Sequence, residues 1–433
     1  MIFACVTALK RRKKGTVARL MPISTRIGEQ RSLARERTTL KTSPHVGSRP
    51  AAQQPDWPDP ATALAVRRRL SALPPLVGAG EVRDLLVRMG QVQRGEAFLL
   101  QAGACAEPFG RQAVRSAESD HGLISAMADI VTARLKLPVL TIGRVAGQFA
   151  KPRSQPVETV DGAELPVFRG LLVNGSEPHA RSRSSDPFRM LAGYQTARMV
   201  LDRLHQLDAA TGQGRLWASH EALVVDYEEP LTRFDPVSGE WFAGSTHLPW
   251  IGERTRQPDW AHVSLLSAVA NPVACKVGPG IRDEDLLGLC ARLDPHRRPG
   301  RLTLVARLGA RRVRERLPEL IDVTRRAGHP VTWVCDPMHG NTVVTSDGLK
   351  TRHTKDVRDE LTGFFEVLGR AGQWPGGVHL EVTGDRVTEC VGPGGPDGEG
   401  ALASGYRSLC DPRLNGTQAM HMAEAVADLT VRH

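Results

Sequence analysis

The sequence predicts an α/β protein built as a (β/α)8 barrel with an N-terminal helical extension. Eight short apolar, β-branched runs recur between residues 97 and 384, and most are followed by a segment whose apolar side chains repeat at helical spacing. The runs are continuous rather than alternating, as strands covered on both faces require. A doubly wound sheet shares this local signature, and the count of eight points to the barrel.

Charge separates the first element from the rest. Residues 1–50 carry twelve of the 57 Lys and Arg but only Glu29 and Glu36 of the 47 Asp and Glu, so residues 51–433 hold 45 of each sign. The net charge of +10 therefore belongs to the tail, which reads as a basic, disordered extension or an upstream misread start, with Met21 an alternative start. Its apolar "MIFACVTAL" precedes "KRRKK", the reverse of a secretory signal, and is too short to span a bilayer. An organelle transit peptide is the competing reading of an Arg-rich, acid-poor tail.

Residues 51–433 form the expected barrel domain. "DWPDPATALAVRRRLSALPPL" opens it as a lead-in helix with Pro60 early, Ala63, Val66, Leu70 and Leu73 on one side, and Pro74 and Pro75 at its end. The strand runs follow near 97–103, 137–147, 222–227, 248–253, 273–278, 302–309, 330–337 and 377–384. Covering helices are expected at "SAMADIVTARLKL", "DEDLLGLCARL", "RVRERLPELIDVTRRAG" and "DELTGFFEVLGRAG". The long insertion 154–221 holds another, with Asp186 as N-cap, Pro187 at its first helical position and Leu191, Tyr194, Ala197, Leu201 and Leu204 on one face.

Composition narrows the function classes. Aromatic content of 5% argues against a stacking surface for single-stranded nucleic acid, and a neutral body argues against a nucleic-acid partner except through the tail. Cys5, Cys105, Cys275, Cys290, Cys335, Cys390 and Cys410 are scattered without a CxxC pair, which is reduced, cytoplasmic usage, and no membrane partner is expected.

Barrel enzymes carry their chemistry at the C-terminal ends of the strands. Here those ends offer Cys105; Arg144 with Lys151, Arg153 and Ser154; Asp226; Glu253 and Arg254; Lys276; Arg307; Asp336 and His339; and Glu381. One cation ending an apolar run is ordinarily satisfied by a neighbouring carboxylate. Arg144, Arg254, Lys276 and Arg307 converging on one mouth instead point to a substrate with several anionic groups. Alone, Cys105 reads as a buried thiol and His339 as a hydrogen-bonded loop histidine. Glu381 alternates with Leu380 and Val382, so a barrel strand turns either the carboxylate or the two apolar groups inward. If inward, it would share a divalent metal with Cys105 and His339, although no compact zinc spacing is present. "GPGIRDEDLLG" reads equally as an ordinary βα turn or a phosphate cradle.

The motifs "RVAGQFAKPRS", "SHEALVVDYEEPLTR", "WIGERTRQPDWAHV", "ANPVACKVGPG", "GRLTLVARLGA", "CDPMHGNT", "KTRH", "GGVHLEVTG" and "CDPRLN" occur in one order from about residue 51 to the C-terminus. In this they resemble the class II, plant and actinobacterial type, 3-deoxy-D-arabino-heptulosonate 7-phosphate (DAHP) synthases. The resemblance implies condensation of phosphoenolpyruvate with erythrose 4-phosphate and water on a (β/α)8 barrel, opening the shikimate route. It implies a divalent metal, Mn²⁺ before Co²⁺, Fe²⁺ or Zn²⁺, held by Cys105, His339, Glu381 and Asp411. It matches Arg144, Glu253, Arg254, Lys276 and Arg307 to phosphoenolpyruvate, and Lys151, Arg153 and Ser154 to erythrose 4-phosphate. Lys151, Glu253 and His339 are the expected catalytic groups, with Glu253 orienting the attacking water, and a homo-oligomer, dimer or tetramer, is expected.

Two departures from the family pattern stand out. Only about eight residues separate "GYQTARMVLDRLHQLD" from "WASHEAL", where feedback-regulated members carry an inserted helical pair that binds aromatic amino acids. The chain therefore resembles a feedback-insensitive short form serving secondary metabolism. Ala102-Gly103-Ala104-Cys105-Ala106-Glu107 stands where the family usually reads Gly-Gly-Asp-Cys-Ala-Glu. An aminoDAHP synthase using an imino-erythrose phosphate is the close alternative, and a nucleic-acid-binding protein acting through its tail the distant one.

Overall fold

The computed structural model describes residues 44–160, 162–212 and 214–431. The expectations for the basic tail up to residue 43 lie outside the described residues. Residues 44–50, grouped with that tail by charge, dock on the body. Val46 is buried and its N–H donates to Glu229 Oε1 at 3.3 Å, while the Pro50 carbonyl accepts Ala261 N–H at 2.9 Å.

The lead-in helix α1, Pro60–Ala72, begins where Asp59 accepts from Ala61 N–H, and it buries Ala63, Val66 and Leu70. Helix α2, Ala79–Gln93, follows, and the Glu81 carboxylate caps it from within by accepting Gly78 N–H at 2.6 Å. Eight parallel strands then close a barrel: β1 Phe98–Gly103, β2 Val139–Arg144, β3 Trp217–Glu221, β4 Leu248–Ile251, β5 Val273–Val277, β6 Leu302–Ala306, β7 Thr332–Cys335 and β8 Pro375–Glu381. Each pairs with its neighbour in sequence, and β1 pairs with β8 through Gly103 opposite Glu381. The covering helices are α3 Arg111–Leu135, α4 Phe188–Thr211, α5 Ala261–Ser267, α6 Asp283–Leu293, α7 Val313–Arg326, α8 Thr354–Arg370 and α9 Gly416–Val431. Among the described residues no helix is long and apolar enough to cross a membrane.

Two core layers explain the continuous apolar runs. Leu100, Ala102, Leu380 and Val382 pack outward into the main core, to which the helices contribute Met127, Leu289, Leu317 and Phe364. Leu99, Leu140, Ile142, Trp217, Leu248, Trp250, Ala274, Val305 and Val334 form a second cluster inside the barrel, closed from below by Leu85, Met89 and Val92 of α2. With both faces apolar, alternation disappears from the sequence.

Three boundaries differ from the sequence expectation. The third strand is "WASHE", not "ALVVDY" at 222–227. Ala222–Val225 is apolar because it lies buried in a turn, where the Gln54 side chain donates to Leu223 O at 2.8 Å and accepts from Val225 N–H at 2.9 Å. Asp226 consequently leaves the barrel mouth and pairs with Trp57 Nε1 at 2.7 Å and Arg67 at 3.2 Å. Helix α3 starts at Arg111, well before "SAMADIV": ahead of Ser125 its buried residues are Ala113, Ala117, Asp120, His121 and Ile124, too polar a face to show apolar periodicity. Pro187 precedes the first residue of α4, and Asp186 caps that helix by accepting Phe188 N–H at 2.9 Å.

Candidate active site

Side chains alternate along a strand, so each apolar inward position of the barrel is followed two residues later by the next inward group. Above Leu99, Trp217 and Gly377 sit Gln101, Ser219 and His379, which bond to one another: Gln101 Nε2 donates to Ser219 Oγ at 2.9 Å, and His379 Nδ1 to Gln101 Oε1 at 2.7 Å. One step higher stand Arg144, Glu221, Lys276, Arg307, Asp336 and Glu381 at the strand ends. Glu381 thus points inward while Leu380 and Val382 pack against the helices.

Glu381 is fully buried and ringed by cations. Arg144 Nη2 reaches Oε1 at 2.6 Å, Arg352 Nη1 reaches Oε2 at 2.7 Å, and Lys151 Nζ lies 3.7 Å away. Burial alone would raise its pKa, but His339, Arg144, Arg352 and Lys151 hold it well below the usual carboxylate range. Asp411 likewise pairs with Lys350 at 2.9 Å and Lys151 at 3.4 Å. His379 is pushed well below its ordinary value by burial and by Lys276 and Arg144, so it stays neutral and its Nε2 accepts from Arg144.

The donor set fits a divalent ion. Ligand atoms of Cys105, Glu381 and Asp411 all lie within 4.8 Å of one another. His339 stands outside that triple, but its Nε2 is 3.2 Å from Glu381 Oε1, and Asp336 Oδ2 at 2.8 Å from Nδ1 fixes its ring. Burial, then Cys410 and Glu381, push the Cys105 thiol well above its ordinary value. A thiolate there needs a cation beside it, and thiolate, imidazole and carboxylate together suit first-row divalent metals.

Beside this cluster lies a cavity of about 420 Å³ lined by Lys151, Arg153, Ser154, Glu253, Arg254, Lys276, Arg307, His339 and Asp411 among others. Nine of the twelve site residues expected from sequence therefore share one space, and Cys105, Arg144 and Glu381 lie outside its lining. Lys276 is buried against Asp336 at 2.9 Å, which offsets the burial that lowers its pKa. Arg307 donates to the His339 carbonyl at 2.9 Å, and Arg254 is exposed and donates to Ser154 Oγ at 2.6 Å. Arg144 lies under the floor, stacked on Trp250 at 5.3 Å.

Sequence reasoning assigns no individual role to Lys350 and Arg352, which sit inside the quoted "KTRH", or to Glu221, hidden by the misplaced third strand. The contrast between two cavity carboxylates is informative. Both oxygens of Glu253 are committed, one to Arg256 at 2.8 Å and the other to Gly278 N–H at 2.7 Å. Glu221 is buried, lines the cavity, and has no hydrogen-bond or ion-pair partner for its carboxylate among the described residues. It packs so closely over Gly252 that a Cβ there would fall 2.0 Å from Oε1.

A closed barrel whose mouth sets a cation shell beside thiol, imidazole and carboxylate donors defines a barrel enzyme acting on anionic substrates. The chain belongs to the class-II DAHP synthetase family, whose model matches residues 41–214 and 204–427 and so spans the lead-in segment and the whole barrel. It is 45% identical to a probable phospho-2-dehydro-3-deoxyheptonate aldolase of Pseudomonas fluorescens, covering 86% of this chain and 93% of that one. It is 41% identical to the phospho-2-dehydro-3-deoxyheptonate aldolase of Streptomyces coelicolor, over 90% of this chain and 98% of the relative. A Mycolicibacterium smegmatis enzyme of the same name is 37% identical over 88% and 93%. All three relatives are thus matched over almost their whole length.

Proposed function

We propose that the chain condenses phosphoenolpyruvate, erythrose 4-phosphate and water into DAHP and phosphate. The observation that carries the reading is one cavity whose lining brings Arg254, Lys276 and Arg307 together with Lys151, Arg153 and Ser154 beside the donor set. Two phosphates and a carboxylate brought together need such a shell, and fixed cations in a partly dry cavity offset their repulsion.

Cys105, His339, Glu381 and Asp411 would hold the metal. When bound it polarises the aldehyde oxygen of erythrose 4-phosphate. Arg254, Lys276 and Arg307 hold phosphoenolpyruvate so that its C3 faces that aldehyde carbon, while Arg144, buried beneath the floor, adds positive charge from below without lining the cavity. As the new C–C bond forms, the aldehyde oxygen becomes a hydroxyl, and Lys151 Nζ is the proton donor. Water then bonds to C2 and loses one proton to leave a C2 hydroxyl, and the C2–O bond to phosphate breaks with its electron pair leaving on phosphate, which takes the hydroxyl's remaining proton as C2 becomes the ketone. The free carboxylate of Glu221 is suited to receive the water proton, whereas Glu253 braces the Gly278 turn and Arg256 around the phosphoenolpyruvate cations.

Short chain between α4 and β3, residues 212–216, supports a feedback-insensitive form serving secondary metabolism. Phenylalanine, tyrosine and tryptophan at sub-millimolar levels are then expected to leave turnover unchanged. The function is tested by mixing the two substrates and measuring heptulosonate and phosphate with and without a chelator. Equal amounts of both products, lost on chelation and regained with Mn²⁺, are expected. Phosphate release without heptulosonate would reject the reading.

A further inference from the structure

We infer that Gln53 is a positioning residue for the segment Lys151–Ser154 and, through it, for the aldose phosphate. The inference rests on the proposed role of that segment.

Residues 150–156 belong to no helix or strand, so their placement depends on individual tethers. Lys151 N–H donates to the Arg169 carbonyl at 2.9 Å, and Arg254 holds Ser154 Oγ at 2.6 Å from the phosphoenolpyruvate side. The backbone between these two ties is held from elsewhere: Arg153 N–H donates to Gln53 Oε1 at 2.8 Å.

Gln53 makes this bond from a left-handed backbone conformation, φ 58°, which disfavours a side chain bearing a Cβ. The strain has a geometric return. At that turn the two neighbouring glutamine side chains diverge, Gln53 to the loop after β2 and Gln54 to the loop after β3, where it bonds Leu223 and Val225. The Gln53 and Gln54 carbonyls also accept the Arg169 guanidinium, the latter at 3.0 Å, and Arg169 has no carboxylate partner among the described residues. Arg169 therefore ties the strap to Lys151 as well: its side chain holds residues 53–54 and its carbonyl holds the Lys151 amide. The same two glutamines wall a second cavity of about 540 Å³ that shares Arg153 and Ser154 with the active-site cavity. A strap of chain that precedes the barrel thus sets where the proposed phosphate-binding amides and side chains stand.

Gln53→Met keeps the side-chain length and removes the acceptor, and Gln53→Gly also relieves the backbone conformation. Losing one hydrogen bond should raise the KM for erythrose 4-phosphate about fivefold to tenfold in both variants, while the KM for phosphoenolpyruvate stays within about twofold. Trypsin followed by mass spectrometry should find cleavage after Arg153 sooner in both variants. The melting temperature of Gln53→Gly should match or exceed that of Gln53→Met, since strain is lost. An unchanged KM for erythrose 4-phosphate overturns the inference. So does an equal rise in both KM values with a lower melting temperature, the mark of general loosening. A wild-type protein that forms no heptulosonate would strike the proposed function instead, and unaltered cleavage after Arg153 would then decide against Gln53 independently.

Discussion

The two ends of the barrel interior are built from the same strands and face opposite demands. At the base, Leu85, Met89 and Val92 of α2 plug a dry cluster of Leu99, Leu140, Ile142, Trp217 and Val305. At the mouth, one or two inward steps further along, the strands end in Arg144, Glu221, Arg307 and Glu381. Buried charges cost several kcal/mol each unless paired, about what burying one or two large side chains returns. The base therefore supplies stability, and the mouth is tolerated because Arg144, Arg352, Lys151 and Lys350 neutralise the carboxylates that a metal would otherwise share.

Discharging the mouth should have the largest effect. Glu381→Gln leaves Arg144 and Arg352 without their shared carboxylate and removes a proposed metal donor. Turnover should fall by about a hundredfold or more, and unfolding should cost about 3–5 kcal/mol less. Glu221→Gln removes a buried carboxylate that nothing in the described residues pairs with, so it should hold or raise the melting temperature. It should lower kcat about a hundredfold with little change in phosphoenolpyruvate affinity, whereas Glu253→Gln should act mainly on that affinity. A Glu221→Gln enzyme with normal kcat would remove the residue from the chemistry.

Met89→Ala tests the other end. It should cost about 2–5 kcal/mol in a denaturant titration, yet the folded fraction should keep wild-type kcat; a large loss of turnover would couple the base to the mouth. The smallest effect concerns Asp120 of α3, which accepts Gly384 N–H at 3.2 Å just beyond β8. Burial pushes its carboxyl from 3.8 up to about 7. The folded state then keeps a proton that the unfolded chain has lost. This stabilisation is complete below pH 3.8 and is lost as pH rises through about 7. Between those two values a single such group makes stability fall by about 1.4 kcal/mol for each step of one in pH. Asp120→Asn should flatten that decline, read from urea midpoints across the same window; an unchanged slope would place the titration elsewhere.

What is legible in the sequence follows the same division. Strands whose outward and inward residues are both apolar announce themselves as runs, which is why β1, β5, β6 and β8 fall within a few residues of their expected positions. "WASHE" escapes notice because a strand that lines the site carries Ser219, His220 and Glu221 where apolar residues would mark it, while the buried turn that follows imitates a strand. The cation shell is visible because Arg144, Lys276 and Arg307 interrupt or end apolar runs. Asp411 is not visible in that way: it reaches the site from a loop far beyond β8, and only the ordered motifs point to it. Gln53 carries no signal, since a backbone conformation and one bond to Arg153 leave no pattern in the sequence.

We expect the mouth's thiol, imidazole and carboxylate donors to form one metal site that the base does not influence, and equilibrium dialysis of metal-stripped protein against Mn²⁺ reads this out. Wild type and Met89→Ala should each bind one ion per chain, and Cys105→Ser and Asp411→Asn should lose that binding. Equal uptake by all four proteins would contradict the account.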